Sequence, residues 1–79
     1  MKTFKFEHTG TPDAVGGAIN TAAKTIPADM RGVKAPLLKL LYDVLGAKDE
    51  GAASVKATLW IDDRSGMRNL HSKVTNLSV

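Results

Sequence analysis

Apolar and polar positions alternate along the first residues of the chain, Lys2-Thr-Phe-Lys-Phe-Glu-His8. Phe4 and Phe6 point to one side, Lys5 and Glu7 to the other. A period of two predicts a half-buried strand over Lys2–His8. The next residues, Thr9-Gly-Thr-Pro-Asp13, carry helix-start chemistry. Thr11 can cap, Pro12 suits the first helical position, and Asp13 complements the positive end of the dipole. This helix should run to about Ile26, because Pro27 disfavours helical backbone in the residue before it. Val15, Ile19, Ala22 and Ile26 form its apolar stripe. Gly16 and Gly17 each cost it about 1 kcal/mol relative to alanine, a cost explained by close packing against the sheet or a neighbouring helix.

Residues 27–34 read as a connector in which Asp29 caps a short turn. Pro36 then opens a second helix through Leu37, Leu38, Leu40, Leu41, Tyr42, Val44 and Leu45. Gly46 closes it, or Gly51 does after a frayed last turn. Leu37, Leu41 and Val44 make one apolar stripe, Leu38, Leu41 and Leu45 an adjacent one, and Leu40 widens the arc. That arc exceeds what one small sheet needs to cover. Either the first helix covers the surplus or a second copy of the chain does. Leu37, Leu40, Leu41, Tyr42 and Val44 are therefore a candidate homodimer interface, with the Tyr42 hydroxyl at its wet boundary.

The last third predicts a hairpin, Ser54–Asp62 and Met67–Thr75, whose two faces differ in chemistry. A loop over Asp63–Gly66 would place Leu59 opposite Leu70 and Val55 opposite Val74. A slip of one residue would oppose aliphatic and polar faces. Gly66 can supply the positive φ of the loop. This register sets Trp60 against Asn69, Thr58 against His71, and Lys56 against Lys73. The two lysines would repel unless a carboxylate such as Glu7, or a bound anion, relieves them. The aliphatic parity shifts by one at Asn76-Leu-Ser-Val79, which a bulge or a strand leaving the sheet would explain.

The order β-α-α-β-β predicts an α+β fold in two layers, a three-stranded antiparallel sheet with both helices on one face. That face is lined by Phe4, Phe6, Val55, Leu59, Ile61, Leu70 and Val74, and the other is open. The pattern does not decide which strand the first one pairs with. Seventy-nine residues make a single domain that buries only about 60–65% of its unfolded surface. With no cysteine, neither a disulfide nor a thiolate metal site supplements the core. The N-terminus has no apolar segment of signal-peptide length, and no stretch approaches the roughly 20 apolar residues of a membrane span. These features predict a soluble, cytoplasmic protein with no membrane partner.

The net charge of +3 and pI of about 9.5 permit an anionic partner without requiring one. They exclude an acidic DNA mimic. Catalytic chemistry has little to stand on. His8 and His71 are the only histidine bases, and no serine near either sits in a nucleophile elbow. Asp62–Asp63 and Asp49–Glu50 fall in predicted turns, where acidic residues serve local hydrogen bonds, and an exposed turn does not raise a carboxylate pKa for acid–base work. Asp62-Asp-Arg-Ser-Gly lacks the ligands of a calcium loop. Gly10–Gly17 lacks the lysine of a phosphate loop. No cofactor or metal is expected.

The outer sheet face is the remaining candidate. Trp60, Lys56, His71, Lys73 and Lys5 cluster on it, with Arg64 and Arg68 towards the hairpin tip. Arg68 has inward parity but can bend out near the turn. A flat aromatic and cationic surface suits a protein-binding hot spot, and it can also stack bases and neutralise phosphates. The expected function is a non-enzymatic interaction protein that binds and inhibits or recruits a larger protein or ribonucleoprotein, in the manner of phage and mobile-element inhibitors. The alternative is a small basic nucleic-acid-binding regulator using the same face.

Overall fold

A computed structural model of the chain describes residues 3–63 and 66–77. Strand β1 (Thr3–Gly10) leads into helix α1 (Pro12–Lys24), a 3₁₀ turn (Ala28–Val33), helix α2 (Lys34–Asp49), and strands β2 (Val55–Asp62) and β3 (Asn69–Asn76). The three strands form one antiparallel sheet in the order β1-β2-β3, with the helices against one face. This is the α+β arrangement the sequence predicts, and it settles the position of β1 beside β2.

The alternating pattern of β2 places the core. Val55, Ala57, Leu59 and Ile61 are buried on its inner face, where Phe6 lies opposite Leu59 and Phe4 opposite Ile61. Val15 and Ile19 from α1, with Leu37, Leu40 and Val44 from α2, close the core with no exposed surface. Removing an aliphatic side chain of this size from water contributes about 1.5–3 kcal/mol.

The helix ends follow their capping chemistry. Thr11 Oγ1 accepts the Ala14 N–H at 3.2 Å, and Pro12 occupies the first helical position. α1 stops at Lys24, short of Ile26, and the Thr25 N–H bonds back to the Thr21 and Ala22 carbonyls. α2 starts two residues before Pro36, straight from the 3₁₀ turn, whose N-cap position is Pro27 rather than Asp29. In the first turn the missing N–H of Pro36 leaves no bond unmade. Gly51, not Gly46, ends α2. Its φ is +89°, its N–H donates to the Lys48 carbonyl at 2.9 Å, and the Ala52 N–H donates to the Ala47 carbonyl at 3.0 Å. Those two bonds are a Schellman cap.

The wide leucine arc is divided among three environments, which removes three of the five residues from the homodimer interface read from the sequence. Leu37, Leu40 and Val44 are fully buried in the chain's own core, so they are closed to a partner. Leu41 is half-buried and meets α1, where a Cβ added to Gly16 would lie 3.4 Å from its Cδ1. Close helix packing therefore accounts for Gly16 and not for Gly17, which faces open space. Leu38, Tyr42 and Leu45 stay on the surface. A contact between Lys48 Nζ and Asp13 Oδ1 at 2.6 Å joins the C-terminal end of α2 to the N-terminal end of α1. That hydrogen bond raises the Lys48 pKa above its usual value, so the lysine's share of the contact is lost only as the pH climbs through the raised value.

The hairpin register differs from expectation by two residues. Leu59 lies opposite Ser72, Ile61 opposite Leu70, and Ala57 opposite Val74. The aliphatic parity is kept, but the connection spans residues 63–68 instead of ending at Gly66. The Gly66 N–H still donates to the Asp63 carbonyl at 3.2 Å, with φ +79° at Gly66. Leu70 keeps its inward parity and is nevertheless exposed, beside the first turn of α2. β3 runs to Asn76 without a bulge, and the Leu77 N–H then donates to the Ser54 carbonyl at 2.8 Å. No helix among the described residues is long and apolar enough to cross a membrane.

The two glycines of α1 should respond oppositely to substitution. Gly17→Ala is expected to raise stability by about 0.5–1 kcal/mol, and Gly16→Leu to lower it by about 1–3 kcal/mol through overpacking against Leu41. Urea midpoints at constant slope check both.

Candidate functional site

The face of the sheet away from the helices is built by strand alternation. β1 contributes Lys5, Glu7 and Thr9, β2 contributes Lys56, Thr58 and Trp60, and β3 contributes His71, Lys73 and Thr75. The register aligns them in rows: Lys5, Trp60 and His71, then Glu7, Thr58 and Lys73, then Thr9, Lys56 and Thr75. The tryptophan therefore sits on the central strand, with a cation on one side and the imidazole on the other.

The shift in register changes the chemistry of this face. Trp60 faces His71 rather than Asn69, and the rings stack with centroids 5.3 Å apart and planes 26° from parallel. A directly opposed aromatic pair of this kind contributes about 0.5–1.5 kcal/mol beyond area burial. Lys56 faces Thr75, and Lys73 faces Thr58, so the expected lysine opposition does not occur. Glu7 does meet Lys56, with Nζ 3.6 Å from Oε1. Both side chains are about half exposed, and such a contact adds only a few tenths of a kcal/mol. Neither Lys5 nor Lys73 has an ion pair among the described residues.

Five of the expected contact residues, Lys5, Lys56, Trp60, His71 and Lys73, therefore share one open face. Arg68 does not join them. Its Nη2 donates to the Gly32 carbonyl at 2.7 Å, and its Nε lies 4.0 Å from Asp63 Oδ1. It keeps inward parity and ties the hairpin connection to the 3₁₀ turn on the helix side. Arg64 lies outside the described residues.

The remaining titratable groups occupy ordinary places in the fold. His8 stacks on Phe6 at 6.5 Å at the end of β1. Asp62 is the last residue of β2 and is buried, not a turn residue as its sequence context suggests. No buried side-chain nitrogen or oxygen among the described residues lacks a hydrogen-bond partner. Nor does any group of three His, Asp or Glu side chains among them converge as metal ligands would. A cavity of about 90 Å³ behind Phe4, Met30, Val33, Ile61 and Arg68 falls below the roughly 300–1,000 Å³ of small-molecule sites.

Sequence reasoning missed one surface. An open cleft runs between α2 and β3, bordered by Lys39, Tyr42, Asp43, Glu50, Lys73 and Asn76. Its two walls are brought together by the hairpin register, so its composition could not be assembled from a register displaced by two residues. Comparison with known proteins finds no match, neither to a protein family, nor to a curated protein, nor to a solved structure.

The Trp60–His71 contact should be energetically coupled. Trp60→Ala, His71→Ala and the double variant, compared by urea denaturation, are expected to give an interaction energy of about 0.5–1.5 kcal/mol. Additive losses would mean that the rings are neighbours without mutual stabilisation.

Proposed function

We propose that this protein is a non-enzymatic interaction module that docks its outer sheet face onto a larger protein or ribonucleoprotein and blocks or recruits it. The observation that carries the reading is the Trp60–His71 stack on a face that no other described element covers, flanked by Lys5 and Lys73 without ion pairs among the described residues. An anchored aromatic surrounded by cations is the composition of a binding hot spot. Its rigidity lowers the entropy lost on docking. The cations supply complementarity to an acidic patch and speed encounter.

A second reading, binding of single-stranded nucleic acid, is favoured by the same tryptophan among lysines. Base platforms stack successive bases on exposed ring faces, however, and His71 already occupies one face of Trp60. The protein-partner reading is the better supported for that reason.

Capture of partners from host lysate by tagged protein, wild type beside Trp60→Ala, each with and without nuclease, separates the two. A protein partner should survive nuclease, and its affinity should fall roughly 30-fold or more with Trp60→Ala, the loss expected of a hot-spot aromatic. Lys5→Ala with Lys73→Ala should mainly slow association. Recovery of nucleic acid, or loss of every partner after nuclease, would replace this reading with the second. Identical capture by both variants would remove the outer face from consideration.

A further inference from the structure

β1 is an edge strand. It pairs with β2 residue for residue from Thr3–Asp62 to Gly10–Val55, and no other backbone hydrogen bond among the described residues reaches it. It has no proline and no bulge, two of the devices by which natural sheets block an open edge. Its side chains instead form a self-complementary pattern.

We infer that β1 pairs antiparallel with β1 of a second copy of this chain, about a two-fold axis through Phe6, to make a continuous six-stranded sheet. Charge selects that register. Centring the axis on Phe6 sets Lys5 opposite Glu7 of the second copy twice, Phe6 opposite itself, and Phe4 opposite His8 twice. Centring it on Lys5 or on Glu7 opposes like charges, and any slip by one residue opposes the inner and outer faces. Lys5 has no ion pair within its own chain among the described residues. Glu7 is about half exposed beside Lys56, so its carboxylate can accept a second cation.

The other edge is less suited. A two-fold axis through Ser72 of β3 opposes His71 and Lys73, and one through Lys73 opposes two lysines. Pairing β1 with β3 is heterologous and generates an open chain of subunits instead of a closed dimer.

An axis perpendicular to the sheet leaves both outer faces on the same side. The two Trp60 side chains then lie on one surface, three strand spacings or about 15 Å apart across the sheet, and the dimer is bivalent towards any partner of that face.

The test is a charge swap read by light scattering after size exclusion, from micromolar to near-millimolar concentration, with far-ultraviolet circular dichroism confirming the fold. Wild type is expected at the mass of two chains. Lys5→Glu and Glu7→Lys should each run at the mass of one chain, with dissociation constants raised roughly tenfold or more. Their equimolar mixture should recover the two-chain mass, because the carboxylate introduced at position 5 of one variant then meets the ammonium introduced at position 7 of the other. Wild type at the one-chain mass throughout, single variants that remain dimeric, or a mixture of folded variants that fails to reassociate would each overturn the inference. If Glu7→Lys fails to fold beside Lys56, Lys5→Glu alone decides: the one-chain mass supports the β1 interface and the two-chain mass overturns it. Amide exchange supplies a second readout, since the outward-facing amides of β1 should be protected in the wild type and lose protection in Lys5→Glu.

Discussion

β2 is hydrogen-bonded along both edges and buries Val55, Ala57, Leu59 and Ile61 on a single face. The other elements are placed by that asymmetry. The two described helices pack against one side of the three strands. The alternation that points four aliphatic side chains inward also points Lys56, Thr58 and Trp60 outward, where no other described element covers them. The content of the open face is therefore set by strand periodicity: it is what the intervening positions of the strands contain.

The same constraint explains the division of labour within α2. A helix laid on a narrow sheet can present only one side to it, so Leu37, Leu40 and Val44 fill the core while Leu38, Tyr42 and Leu45 lie outside it. Leu41 falls between the two and is accommodated because Gly16 has no side chain to occupy the space. A thin core leaves little redundancy, and two helix ends are secured together: the Thr11 cap starts α1, the Schellman cap at Gly51 closes α2, and the Lys48–Asp13 contact joins those two ends.

Side-chain parity was legible in the sequence because it depends only on local alternation. It gave the inner face of the hairpin, the outer cluster of Trp60, His71 and lysines, and the element order. Pairing distance was not legible. A shift of two residues preserves parity, so the Leu59–Leu70 and the observed Ile61–Leu70 alignments satisfy the same hydrophobic pattern. What separates them is non-local. The longer connection lets Arg68 reach the carbonyl of Gly32, and it brings His71 beside Trp60. The environment of Asp62 was hidden for the same reason, since its turn-like neighbours conceal a strand end. The helix boundaries erred by about two residues, where caps compete with the connector that precedes α2.

On the outer face, that non-local alignment changes the meaning of the charges. In the expected register, Lys56 and Lys73 repel each other and a bound anion offers relief, which would favour a phosphate-bearing ligand. In the observed register each lysine faces a threonine, and Glu7 accompanies Lys56. No repulsion between directly opposed lysines remains for an anion to remove. Lys5, Lys56 and Lys73 border an aromatic pair whose rings stack on one another. Such a surface gains most from a partner that brings dispersed carboxylates and an apolar contact for the indole edge, which a folded protein offers more readily than a run of phosphates. The proposal of a protein partner thus rests on the stacked aromatic pair and on the lack of directly opposed lysines, more than on the number of cations.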